Sequence, residues 1–405
     1  MKNKKIFVLV VLGNIIDYYD FLLFAHLGYI ITPFFIPNLS STEVHLLSLL
    51  LFALPFVIRP IGGYIFGRMS DLKGRHQALT ASLKWASIAT FGLAFLPSYE
   101  YGGITVAVLF VFLRALQGLS LGGEYPIAGT YLMEQYKDNQ GLISGILVAS
   151  GTIGSLIAFS FAWLYINNYV TGESWRSFFI IGGIVTFASY FLRKQLSTHL
   201  KSSAEIKQIS IPYSKSILTV LLIGIMVGLT VWLPMTYSNF YLTKILGANT
   251  NIGLMATLIC LLLYIILNPF FGKISDLYSA KTIMTIASLI VIPLSCLGFY
   301  LIQQQNLWGQ VFLTMAAACF GAPIHVLMNQ LFDPKSRSRH INLLFMSGTA
   351  IGSLAPSLSG YLVDRYQIEY TPVIIVSCIS FVTFIIFSLT LFKNKQLNII
   401  EEKIR

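Results

Sequence analysis

Gly67-Arg68-Met69-Ser70-Asp71-Leu72-Lys73-Gly74-Arg75-His76 is a short polar stretch between two long apolar ones. Its first five positions read Gly-x-x-Ser-Asp. The same pattern returns at Gly272-Lys273-Ile274-Ser275-Asp276, again where a long apolar run ends. A polar turn repeated at equivalent places in the two halves of a chain points to a duplicated architecture. The glycines allow a tight turn and close helix approach. Asp71 can accept hydrogen bonds from a neighbouring helix N-terminus, and Arg75 can pair with Glu134.

The apolar surroundings decide the class. The chain has 405 residues, 56% of them hydrophobic and only 11% charged. A soluble domain carries roughly 25% charged residues, so a soluble enzyme, a disordered chain and a nucleic-acid binder are all excluded. Lipid offers no partner to free backbone groups, so the spans are helices. Twelve are expected, near 6–33, 46–67, 78–97, 104–133, 141–165, 175–193, 215–240, 252–272, 281–302, 308–332, 340–363 and 371–392. The expectation is an all-α membrane protein. The first apolar run is too long for a signal peptide and lacks an A-x-A-like cleavage site, so it reads as a retained span.

With twelve spans both termini share one side. Of the 27 lysines and arginines, only Arg176, Lys244 and Arg365 fall on the opposite side, and only Arg59, Lys84 and Arg114 within spans. That bias makes the basic side cytoplasmic and accounts for the net charge of +11 without nucleic acid. The longest polar connection, 194–214, divides a six-helix bundle at 1–193 from a second at 215–405.

Charges inside spans are few, and each costs about 2.5–3.5 kcal/mol on insertion scales. They should face the bundle interior. Asp17 and Asp20 share one face of span one with Gly13 and Phe24. Two carboxylates one turn apart repel when both are ionised, so together they can hold and release a proton. Arg114, Gln117 and Glu124 share a face of span four. Asp17 or Asp20 and Arg114 all fall near mid-membrane, so an Asp–Arg contact is expected there. Either the carboxylate alternates between Arg114 and a proton, or a static ion pair fixes the packing. Tyr19 and Arg59 join Gln117 as candidates for contact with a substrate. In the second half Trp232, Thr236 and Asn239 share a face of span seven beside Pro234. Tyr264 and Asn268 pair on span eight, and His325 and Asn329 on span ten after Pro323. Such residues line a cavity or glue helices together.

Several chemistries have no sequence support. Cys260, Cys296, Cys319 and Cys378 lie far apart in apolar runs, with no metal spacing. No phosphate-binding loop, nucleophile elbow or zinc signature is present. No metal, cofactor or catalytic residue is therefore assigned, and transport energy must come from an ion gradient.

These motifs resemble the major facilitator superfamily, whose loop signature is roughly G-x-x-x-D-x-x-G-R-K/R. Arg114-Ala115-Leu116-Gln117-Gly118 is similar to its span-four signature associated with proton coupling. Three segments resemble the metabolite:proton symporter branch, which carries proline and betaine, 2-oxoglutarate, citrate and shikimate. They are Gly13 through Phe21, Arg59-Pro60-Ile61-Gly62-Gly63, and Arg114 through Gly122-Gly123-Glu124. The resemblance implies a 6+6 helix arrangement. It also implies a proton-coupled symporter importing a small carboxylate-bearing metabolite or compatible solute by alternating access. Asp17, Asp20, Arg114 and Glu124 would couple the proton. Gly67, Asp71, Gly74, Arg75, Glu134 and Asp276 would latch the cytoplasmic side. The expected setting is a bacterial inner membrane, with both termini cytoplasmic and a working monomer. Its partners would be lipid, protons and a small molecule, with no nucleic acid. An exporter of a drug or siderophore-like product is the alternative, weakened by the missing Gly-Pro ending of span five. Branch members usually carry Glu where Asp17 stands, and the second loop copy has lost its Gly-Arg pair. The short tail at 393–405 implies no osmotic gating through an extended coiled coil.

Overall fold

The computed structural model describes residues 2–167, 169–196, 208–209, 211–366 and 368–404, and is helical throughout, with no strand among them. Of the expected linker 194–214, residues 197–207 and 210 lie outside the described residues.

Among the described residues, twelve helices are long and apolar enough to cross a membrane. In chain order they are Lys4–Phe35, Leu50–Lys73, Arg75–Phe95, Ile104–Gln135, Gln140–Ile166 and Gly172–Lys194, then Tyr213–Thr243, Asn251–Tyr278, Ala280–Gln303, Trp308–Asn329, Arg337–Val363 and Thr371–Leu389. These are spans one to twelve, and each overlaps the run expected from hydropathy. The helix that carries span two, Ser41–Lys73, starts from a capping box. Ser40 receives the Glu43 amide, while the Glu43 carboxylate accepts from the Ser40 amide at 2.8 Å.

Spans seven, ten and eleven are interrupted. Span seven turns π-helical at Leu233–Tyr237, around Pro234, and again at Tyr241–Ile245. Span ten breaks between Trp308–Gly321 and Ile324–Asn329, at Pro323. Proline lacks an amide hydrogen and its ring crowds the preceding turn, so the breaks at Pro234 and Pro323 follow from sequence.

The chain packs as two compact units. The first holds 1–135, 150–203 and 334–346, and the second holds 136–149, 204–333 and 347–405. The start of span eleven thus packs with first-half helices and the start of span five with second-half helices. In the first unit, spans two and four cross at backbone contact. A Cβ at Gly62 would run into the Leu119 carbonyl, one at Gly118 into Pro55, and one at Gly122 into the Arg59 carbonyl. Small residues let membrane helices approach this closely. The second unit does the same between spans five and eight, at Gly145 against Asn268, and between spans seven and eleven, at Gly228 against Gly352.

Candidate functional site

The first unit buries a polar network on span one. Asp20 is 5% exposed. Its Oδ2 accepts from Gln117 Nε2 at 2.9 Å and meets the Thr90 hydroxyl. Gln117 Oε1 in turn accepts from Arg114 Nη1 at 2.5 Å. Arg114 is fully buried, with its guanidinium 3.9 Å from the Phe24 ring centre and a second nitrogen directed at the Leu51 carbonyl. The expected direct Asp–Arg contact is therefore absent among the described residues, because Gln117 stands between the two groups. A carboxamide donates to the carboxylate and accepts from the guanidinium, so it bridges them through its two ends, while Asp20 Oδ1 and Arg114 Nε have no partner among the described residues.

Glu124 belongs to a second cluster. Arg193, at the end of span six, reaches it at 2.6 Å. Ser82 of span three donates to its other oxygen at 2.7 Å. Arg193 also donates to the Leu9 and Val10 carbonyls of span one at 3.1 and 3.3 Å. Asp17 lies within electrostatic reach of Glu124, Arg193 and Asp20. Sequence reading counted Arg193 with the loop cations and so missed it. The available signal was an excess of buried acids over the arginine expected to serve them, which called for one more cation at a span end.

Arg59 differs from both other arginines. It is 6% exposed, and its guanidinium lies 4.4 and 4.3 Å from the ring centres of Phe21 and Phe56, which stand edge to face 5.2 Å apart. Its Nε and Nη2 have no partner, and no carboxylate pairs with it among the described residues. A buried guanidinium without an acceptor is costly, and the planar fork is shaped for a carboxylate. Of the other first-half candidates, Tyr19 donates its hydroxyl to the Phe178 carbonyl at 2.8 Å and Gln117 is spent on the bridge.

The second unit holds its candidate polar side chains largely on its own backbone. Asn268 donates to the Tyr264 carbonyl at 2.7 Å, and Asn329 to the His325 carbonyl at 2.8 Å, each one turn back. Both asparagines are fully buried, and their Oδ1 atoms have no partner among the described residues. Thr236 bonds the Trp232 carbonyl at 2.6 Å, and Asn239 reaches Thr257 at 3.3 Å. Tyr264 and His325 are buried and Trp232 is half-buried. Gln310, not singled out from sequence, donates to the Pro234 carbonyl at 2.6 Å and so braces the break in span seven.

Each repeated loop places an aspartate on the first turn of another helix. Asp71 Oδ1 accepts from Arg75 at 2.7 Å and from the Ser338 amide at 3.0 Å, while Oδ2 accepts from the Arg339 amide at 3.0 Å. The carboxylate thus caps the first turn of span eleven. Arg75 also pairs with Glu134 at 3.0 Å, and Glu134 with Arg337 at 3.2 Å. Gly67 is needed for closeness, since a Cβ there would lie 2.8 Å from the Arg339 Cα. In the second copy, Asp276 accepts from the Gly141 and Leu142 amides at 2.6 and 3.0 Å, capping span five. Gly74 sits at φ 102°.

The sequence pattern of the Major Facilitator Superfamily matches residues 12–249 and 220–402. The proline/betaine transporter of Escherichia coli (strain K12) is 25% identical over 396 residues, spanning 90% of this chain and 79% of the relative. The glycine betaine/proline/ectoine/pipecolic acid transporter OusA of Dickeya dadantii (strain 3937) is 25% identical over 398 residues, spanning 91% and 79%. Among solved structures, the proton:xylose symporter XylE bound to 6-bromo-6-deoxy-D-glucose aligns with TM-score 0.70 at 18% identity, over 94% of each chain. The human organic anion transporter MFSD10 aligns with TM-score 0.70 at 13% identity, over 95% of this chain and 99% of that one. At such identities the structural likeness speaks to fold.

Proposed function

The chain belongs to the Major Facilitator Superfamily, whose members are membrane transporters rather than enzymes, and on that premise we propose a proton-coupled symporter that imports a small carboxylate-bearing solute by alternating access. The observation that carries the proton half is the setting of Asp20. The Thr90 hydroxyl has one hydrogen and lies against both the Ala86 carbonyl and the Asp20 carboxylate. A proton on Asp20 satisfies both contacts, because Asp20 then donates to Thr90 while Thr90 donates to Ala86. When the proton leaves, Gln117 relays the Arg114 charge to the new carboxylate. Asp17 is the second candidate carrier on the same face.

The substrate half rests on Arg59. Its two unpartnered nitrogens suit the carboxylate of a substrate, while the Phe21 and Phe56 rings hold the guanidinium in place. Proline and betaine, carried by the relatives, have this chemistry. The latch at Asp71, Arg75, Glu134 and Arg337, with its counterpart at Asp276, would hold the basic side shut and release on inward opening. That side is cytoplasmic in this reading, with both termini there, in a bacterial inner membrane. The working unit is a monomer.

The test is uptake into proteoliposomes under an imposed proton gradient. Probes are labelled proline, glycine betaine, 2-oxoglutarate, citrate and shikimate, with and without protonophore. Accumulation that collapses with protonophore is expected for one class. Asp20→Asn should abolish uphill uptake and leave substrate exchange. Unchanged proton-driven accumulation in that variant would sink the assignment.

A further inference from the structure

Asp17 is buried at 5% exposure, yet it makes no hydrogen bond or ion pair among the described residues. The charged and titratable groups around it are Glu124 from span four, Arg193 from span six, and Asp20 and Tyr18 on its own span. Span three contributes the Ser82 hydroxyl, already on Glu124. Span five contributes Ser150, bonded to Asn14 at 2.7 Å. Two carboxylates therefore share one guanidinium in a buried site. The cluster is neutral when one of them holds a proton.

The order along span one is informative. Asp20 comes first, then Asp17 one turn nearer the basic end. Next is Gly13, where an added Cβ would meet both the Arg193 guanidinium and, at 3.0 Å, Glu124 Oε1. Last are Leu9 and Val10, whose carbonyls hold Arg193. At about 1.5 Å per residue these steps descend continuously toward the basic end.

Resting on the proton-symport reading above, we propose that Asp17 and Glu124 form the route by which the proton leaves Asp20 for the basic side, and that Arg193 is the plug in that route. The proton passes from Asp20 to Asp17 and on to Glu124, one O–H bond breaking as the next forms. Protonation of Glu124 removes the charge that held Arg193, and the guanidinium follows the negative charge to Asp17. Glu124 then gives the proton to water at the basic end, and Arg193 returns. Arg193 stays protonated throughout, so it blocks other cations while positioning the exit. Gly13 leaves the space in which the guanidinium moves.

The experiment uses the full chain in proteoliposomes with an internal pH dye and an imposed membrane potential, without substrate. Arg193→Gln should raise proton entry about tenfold over wild type, as an opened barrier would. Adding Glu124→Gln should return it to the wild-type rate. Glu124→Asp in the Arg193→Gln background should keep the leak, a rescue that a purely structural role does not produce. If Arg193→Gln does not fold, Arg193→Lys, with a shorter plug, should leak less but above wild type. Wild-type proton entry in a folded Arg193 variant overturns the proposal, as does a leak that persists without Glu124. Failure of the symport reading looks different: the wild type would accumulate none of the probes under a proton gradient, whatever the leak assay reads.

Discussion

The two Gly-x-x-Ser-Asp loops share one pattern but hold their partners by different means. Both place an aspartate on the amides of a helix from the other half of the sequence, Asp71 on span eleven and Asp276 on span five. Both place a glycine where that helix crosses, Gly67 and Gly272. Among the described residues, only the first adds a chain of buried charges, Asp71–Arg75–Glu134–Arg337. The second shares a cavity with Lys137, Asp138, Lys273 and Lys281, and Lys273 bonds Asn139 at 2.5 Å. At the turn itself, Gly74 at φ 102° is replaced by Ser279 at φ 80°, which caps its own helix through Thr282 at 3.3 Å. The shared minimum is thus a carboxylate on a helix N-terminus plus room for a backbone crossing. The ion-pair chain is an elaboration of one copy.

The charge chain should produce the largest difference between the copies. Glu134→Ala leaves Arg75 and Arg337 facing each other without the carboxylate between them. Removing one partner of a buried pair costs about 3–5 kcal/mol. The melting temperature of detergent-purified protein should fall most for this variant, and no single change at the second loop should match it. An unchanged melting temperature would mean that the chain of charges contributes nothing to the resting state.

Packing should distinguish the copies less. Gly67→Ala places a Cβ against the Arg339 backbone, and Gly272→Ala places one against the Gly141 carbonyl. Overpacking costs about 1–3 kcal/mol, so the two variants should lose similar stability. A large loss at Gly67 with none at Gly272 would contradict the common crossing geometry.

The capping carboxylates come next. Asp71→Asn and Asp276→Asn each keep the side-chain shape but weaken the bonds to two amides. A lost cap costs roughly 0.5–2 kcal/mol. Asp71→Asn should cost more, because Arg75 also loses a charge partner. Equal losses would show that Arg75 is held by Glu134 alone.

The smallest effect belongs to Ser279. Its backbone conformation disfavours a side chain, by about 1–3 kcal/mol, while its cap bond is long. Ser279→Gly should therefore stabilise slightly, and Gly74→Ser should destabilise. A stability loss in Ser279→Gly would show that the cap outweighs the strain.

Much of this was legible in advance, for reasons that differ by region. The spans could be read because twenty consecutive apolar residues have few alternatives to crossing a bilayer. The loops could be read because a polar motif repeated at equivalent places stands out against an apolar background. The meeting of Arg75 with Glu134 was accessible because both sit at span ends with no other business there. Arg193 and Arg337 were not accessible in the same way. Each looks like an ordinary loop cation, and only the direction of a long side chain takes its charge into the bundle. The Asp20–Arg114 relation failed in its detail, because a glutamine one turn from the arginine can either bridge or stand aside, and periodicity does not distinguish the two. Asn268 and Asn329 lie on the expected faces, but their amides turn back to their own helices.

Hydropathy, charge bias and the repeated loop therefore determine class, span number and where the two helix-capping aspartates sit. These properties depend on solvent preference and on residues near one another in sequence. Which carboxylate meets which guanidinium is a tertiary matter. It depends on helix rotation and crossing distance within a bundle, set by glycine contacts such as Gly122 against Arg59 and Gly154 against Ile15. Charge interactions change steeply over the few ångströms that such contacts decide.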